Sequence, residues 1–156
     1  MNLVTCFLAA IGRICISLIF IIIGCASIYN WQVAEVDLVN VFTAWQGHIG
    51  SEDISGIFGT FASTTPLFMA VAIALQLIGG IFLFLGYQVR FGAFFLLLYL
   101  LPTTILYHHF WFLTGHQQSL ELILFLKNIA IIGGLVVILA VGKGARKSSS
   151  FSNTND

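Results

Sequence analysis

The tract from Thr103 to Gly134 reads TTILYHHFWFLTGHQQSLELILFLKNIAIIGG. Adjacent histidines, a tryptophan, a carboxylate, a lysine and an asparagine stand there between strongly apolar runs. Histidine can move protons near neutral pH or ligate haem or metal. A lysine and an asparagine within an apolar run can hold an anionic or electron-rich group, because polar side chains in hydrocarbon are costly and tend to be functional. Adjacent histidines on a helix point about 100° apart and cannot grip one ion from the same face. No other apolar segment supplies a histidine to face them, as b-type haem would need. Hydrogen bonding at a membrane boundary therefore suits His108 and His109 better, and no metal site is expected.

Three further polar residues lie deep in apolar runs. Arg13 shares its helical face with Ala9, Ala10, Ser17 and Phe20, Gln76 with Ala72, Gly79, Gly80 and Leu83, and Lys127 with Ala130 and Gly134. Small-residue faces normally point toward neighbouring helices. All three thus converge on a bundle interior, unless Arg13 and Lys127 run their stems out to the headgroups. Gln76 is too deep to do so and needs a partner inside. Tyr99, Thr103 and Tyr107, spaced i, i+4 and i+8, form a polar stripe on a segment that Pro102 should kink. The candidate ligand-binding residues are Arg13, Gln76, Tyr107, His108, His109, Lys127 and Asn128. Gly79, Gly80, Gly133 and Gly134 are the expected helix-packing positions.

The elements that must position these residues follow from composition. Apolar residues make up 59% of the 156 and charged residues 8%, against about 25% charged in an average soluble domain. With a mean hydropathy of +1.03, this describes a membrane protein. Four stretches, near 7–29, 67–87, 90–110 and 121–142, reach the ~20 apolar residues needed to span a bilayer, and in lipid they must be helices. The expected fold is an all-α bundle of four transmembrane helices over 1–147, with a loop at 30–66, a short interfacial helix near 37–49 and a disordered tail at 148–156.

Arg90, Lys143, Arg146 and Lys147 flank one side of the spans, while the 30–66 and 111–120 loops have no lysine or arginine. The positive-inside rule places both termini in the cytoplasm, with Tyr29, Trp31 and Trp111 in an aromatic belt on the far side. Cys6, Cys15 and Cys25 sit too far apart on one helix to bridge. Ile22-Ile23-Gly24-Cys25 has the look of a lipobox, but Phe7-Leu8-Ala9-Ala10-Ile11 precedes the basic Arg13, so a retained helix is expected. A net charge of zero and the lack of a basic–aromatic stripe give no reason to expect nucleic acid. There is no C-x-x-C, G-x-S-x-G, H-E-x-x-H or phosphate-binding loop, and so no self-sufficient catalytic constellation.

The chain resembles the DoxX family of small four-helix bacterial membrane proteins. The resemblance rests on Arg13, Phe20 and Gly24, on Gly79-Gly80, Leu85-Gly86 and Arg90, and on Tyr107-His108-His109-Phe110-Trp111, Leu113-Thr114-Gly115 and Phe125-Leu126-Lys127-Asn128 leading to Gly133-Gly134. It implies a multi-pass protein of the bacterial inner membrane, loosely tied to redox and sulfur metabolism. The implied function is an accessory or quinone-interacting subunit beside membrane oxidoreductase partners. The alternative is a small-molecule or lipid carrier, or a structural membrane component, and a homo-oligomer is compatible with either. Many members carry glutamate at the position of Gln76. Its loss removes the natural counter-ion of Arg13 or Lys127, and the interior then favours an anionic or electron-rich ligand.

Overall fold

A computed structural model describes residues 3–48, 60 and 64–142 of the chain. They form helices α1 (Leu3–Tyr29), α2 (Trp31–His48), α3 (Thr65–Leu85), α4 (Val89–Tyr107) and α5 (Gly115–Val141), with a 3-10 turn at Phe110–Phe112 between the last two. Among the described residues there is no strand. Four stretches are long and apolar enough to cross a membrane: Cys6–Tyr29, Thr65–Leu85, Val89–Phe112 and Gly115–Val141. Among the described residues the fold is an all-α bundle of four membrane helices, with α2 beside them. The basic cluster after Gly142 and the tail at 148–156 lie outside the described residues.

Two boundaries differ from the expectation. The helix in the 30–66 stretch begins at Trp31, directly after α1, because the Asn30 carbonyl at once accepts the amide of Ala34 at 3.1 Å. The last helix begins at Gly115, so His116, Gln117 and Gln118 form its polar first turn rather than a loop. Hydropathy marks where hydrocarbon begins, and a helix continues past that point while its backbone bonds can be made.

The spans pack side by side in the order α1, α3, α4, α5, with α2 laid over α3 at one end. We call the end with Arg90 and the last turn of α5 the basic end, and the end with Trp45, Trp111 and His108 the aromatic end. The central helices bury one stripe each: Met69, Ile73, Gln76, Gly79, Gly80 and Leu83 on α3, and Gly92, Ala93, Leu96, Leu97, Leu100 and Thr104 on α4. Such i, i+3, i+4 spacing is that of a helix with a single inward face. On α5 only Leu135 is buried. Ile22, Phe84, Ile123 and Val137 are among the many apolar side chains turned outward, where lipid would meet them.

Lipid is as apolar as leucine, so membrane helices gain by close approach rather than by burial from water. Gly79 and Gly92 make that approach between α3 and α4. A Cβ on Gly79 would lie 2.9 Å from the Gly92 carbonyl oxygen, and one on Gly92 would lie 3.0 Å from that of Gly79. Gly24 and Gly80 join α1 to α3: a Cβ on Gly24 would fall 2.6 Å from Leu77 Cδ2 and one on Gly80 3.0 Å from Ile21 Cγ1. The two glycine pairs singled out by sequence thus part company. Gly79-Gly80 sits in tight crossings, a Cβ on Gly134 would touch only Ile16 Cδ1 at 3.3 Å, and Gly133 faces open space.

Two apolar cores result. Toward the basic end Phe20, Leu83, Val89, Ala93, Leu96, Leu97, Leu100 and Leu135 form one cluster drawn from all four spans. Toward the aromatic end Leu38 and Phe42 of α2 pack on Met69 and Ile73 of α3. Between α3 and α4 the chain turns through Gly86 at φ +68°, a left-handed conformation that glycine takes without steric penalty. Gln88, at φ +48°, holds the same region despite its side chain.

Candidate functional site

Above the basic-end core the helices part around a cleft of about 910 Å³. Its walls are largely apolar, from Ile19 and Ile23 of α1, Leu38 and Phe42 of α2, Val71 of α3 and Leu98 of α4. Into it face Asp37, Gln76, Tyr99, Thr103, Tyr107, His108, Lys127 and Asn128. Five of the sequence-derived candidates, Gln76, Tyr107, His108, Lys127 and Asn128, therefore meet at one place. The Tyr99–Thr103–Tyr107 stripe runs down its α4 wall together with Pro102.

Gln76 lies deepest. It is only 2% exposed, and its amide Nε2 is buried without a hydrogen-bond partner. An orphaned buried donor is unusual in folded proteins and calls for an explanation. A Cβ added to Gly24 of α1 would lie 3.6 Å from its side-chain carbon Cδ, so Gln76 sits against the α1–α3 crossing. Lys127 is exposed to the cleft, and among the described residues it forms no ion pair. Thr103 offers its hydroxyl to the Tyr99 carbonyl at 2.8 Å, and Thr104 to that of Leu100 at 2.6 Å. These bonds stay local, as serine and threonine commonly do in helices.

At the aromatic end His108 Nδ1 donates to Glu121 Oε2 at 2.7 Å. A carboxylate only accepts, so this bond puts the proton on Nδ1. The pair ties the end of α4 to the beginning of α5 and sets the relative depth of the two helices. The sequence assigns no site role to Glu121, Asp37 or Trp45. The signal for Glu121 was its place nearly two turns inside a helix that follows a short connection from the histidines.

His109 does not join the cleft. Its Nδ1 donates to the Leu106 carbonyl at 3.2 Å, and Trp45 Nε1 donates to the same oxygen at 2.9 Å. That carbonyl lies in the last turn of α4, where no helical amide follows to satisfy it. Trp45 also meets the rings of His109, Trp111 and Phe112 edge-on at 6.1, 5.9 and 5.5 Å, and His48 stacks on Phe112 at 4.4 Å. His109 is therefore part of an aromatic clasp that holds α2 over the bundle.

Arg13 is likewise elsewhere. Its guanidinium nitrogens lie beside Gly86, where a Cβ would be 3.3 Å from NH1 and 3.5 Å from NH2. It thus sits at the C-terminal end of α3, where a helix dipole favours a cation. Arg90 does the same for α5, donating from Nε to the Gly142 carbonyl at 2.7 Å and from NH2 to that of Ala140 at 3.2 Å. Of the two positions open to Arg13, it takes the one at the boundary, beside Gly86 at the basic end, and not the one in the bundle interior. The carboxylates that approach the cleft do so from the aromatic end: the exposed Asp37 lines it from α2, and Glu121 pairs with His108 at its rim. Cys6, Cys15 and Cys25 are all free and exposed on the continuous helix α1.

The DoxX family profile matches residues 8–109. The chain belongs to the DoxX family. It is 28% identical over 138 residues to the inner membrane protein YphA of Escherichia coli (strain K12), an alignment covering 88% of this chain and 85% of that relative. No solved structure matches it significantly. With four candidate spans, it is a multi-pass integral protein of the inner membrane.

Proposed function

We propose that this protein binds a quinone in the cleft and serves as an accessory subunit of a membrane redox complex, with its basic end toward the cytoplasm. The observation that carries this reading is Gln76, a buried amide donor without a partner at the bottom of an apolar-walled cavity. Lys127 adds a second donor, and neither can be satisfied by an apolar tail. A quinone head brings carbonyl acceptors and no net charge. It can therefore sit at this depth, where a lipid phosphate would carry its charge into hydrocarbon at high cost. The apolar walls suit an isoprenoid tail. When bound, quinone would supply the capacity to take up electrons. This chain would hold the head by Gln76 and Lys127, while the aromatic clasp fixes α2 above it. The cleft's own side chains include no thiol pair, so electrons would come from a partner protein.

The test is purification from native membranes in mild detergent, with extraction and quantitation of bound quinones and lipids and identification of co-purifying proteins. Near-stoichiometric quinone, lost in Gln76→Leu, is the expected result. Phospholipid or fatty acid in its place would favour a lipid carrier, and no enriched small molecule would defeat quinone binding.

A further inference from the structure

The polar lining of the cleft is confined to one half of the bundle. His108 and Glu121 stand level because they are bonded, and depth can be counted from them at about 1.5 Å per residue along each helix. Thr103 then lies about 8 Å below the pair, Lys127 about 9 Å, Asn128 about 11 Å and Tyr99 about 14 Å. Gln76, on α3, closes the cleft from the other side. Below Tyr99 the composition changes. The Phe20 ring meets Tyr99 edge-on at 6.2 Å, and beneath them Leu83, Ala93, Leu96 and Leu135 are each 0% exposed. The buried Ser17 of α1, one turn from Phe20, spends its hydroxyl on the Ile14 carbonyl at 2.9 Å.

The groups that face the cleft are equally one-sided. From α2 comes Asp37, from α4 Tyr99, Tyr107 and His108, and from α5 Lys127, whereas α1 and α3 contribute only the uncharged Ser27 and Gln76. Lys127 forms no ion pair among the described residues, and a cation inside a membrane needs a counter-ion or water. Asp37 and His108 stand at the aromatic end, and polar groups recur along the otherwise apolar α4 and α5 walls from that end to the lysine.

We propose that the cleft is a one-sided aqueous vestibule: water, and protons with it, reach Lys127 and Gln76 from the aromatic end, and the leucine-rich core closes the way from the basic end. Its purpose is to give a site inside the membrane contact with one compartment alone. The vestibule does not depend on quinone being the ligand.

Cysteine accessibility in sealed vesicles of known orientation tests it. In a background with Cys6, Cys15 and Cys25 replaced by alanine, single cysteines are placed at Thr103 and Asn128 in the cleft, at Val137 facing outward and at Leu96 in the core. His116→Cys and Gln88→Cys report which side is the aromatic end and which the basic end. A membrane-impermeant methanethiosulfonate reagent is applied from each side in turn. Such reagents are attacked by the thiolate, with loss of methanesulfinate, and the thiolate forms in water and hardly at all in apolar surroundings, so the cleft cysteines should react at least about tenfold faster than those at 137 and 96. They should do so only from the side that labels His116→Cys. Equal reaction from both sides, or cleft cysteines as inert as Val137→Cys, would overturn the proposal. The two cleft positions lie on different helices, so failure of one variant to fold leaves the other decisive.

Discussion

Replacing Gln76 with leucine should stabilise the protein when no ligand is bound. The side chain is 2% exposed and its Nε2 has no partner, and leaving a buried donor unsatisfied costs about 1–3 kcal/mol. Polar side chains inside membrane proteins show smaller effects, about 0.6 kcal/mol on average for interhelical hydrogen bonds, so a gain near 1 kcal/mol is expected. That corresponds to a roughly fivefold shift in the unfolding equilibrium. Leucine fills most of the same space and brings no new polar atom, so no cavity term of consequence opposes the gain. Denaturation of delipidated protein in mixed detergent–SDS micelles, followed by fluorescence of Trp31, Trp45 and Trp111, measures the difference. Quinone at a hundred times its Kd should then stabilise the native protein by about 2.7 kcal/mol and the variant by distinctly less. If Gln76→Leu costs more than about 1 kcal/mol without ligand, the amide is already satisfied by the fold, and the argument that it waits for a ligand fails.

Other substitutions test the packing and the two ends. Gly92→Ala forces a Cβ to 2.9 Å from Phe82 Cβ and 3.0 Å from the Gly79 carbonyl, and should cost about 1–3 kcal/mol in the same assay. Gly133→Ala, with nothing within 4 Å, should be neutral or stabilising by up to about 1 kcal/mol. Arg90→Gln removes two donors from the last carbonyls of α5. Its exposure limits the loss to about 0.5–1 kcal/mol, visible as faster amide exchange in the last turn of α5 with α3 unaffected. Trp45→Phe keeps the ring contacts but loses the bond to Leu106, at about 0.5–1.5 kcal/mol, and should make α2 more susceptible to protease while leaving the spans intact.

Much of the architecture was legible because the bilayer imposes it. A run of about 20 apolar residues has few alternatives to a spanning helix, and the inward faces of α3 and α4 follow from where their glycines and Gln76 fall. That Gln76 and Lys127 face one cleft follows for a similar reason, since each interrupts an apolar run on a face of small residues; Tyr107, His108 and Asn128 line the same cleft. What stayed hidden depends on contacts between distant segments. Arg13 lies on such a face too, but its neighbour is the turn at Gly86, which periodicity along α1 cannot reveal. His108 and His109 are adjacent in sequence yet divide between the cleft and the clasp, because the helix ends between Tyr107 and the 3-10 turn. Gly133 shares the pattern of Gly79 but has no helix opposite it. Trp45 gained its role only when α2 folded back over the end of α4.

The three-residue turn between α3 and α4 also bears on how the chain is made. Gly86 to Gln88 joins two spans whose glycines already lie back to back, so these helices can leave the translocation machinery as a finished hairpin. Helix α1 emerges first and finds its seat on α3 at Gly80. Helix α5 arrives last, buries little beyond Leu135, and is secured at its ends by Glu121 and by Arg90. The cleft is therefore the final compartment to take shape during biogenesis, since α5 brings both its lysine and the Leu135 that completes its floor.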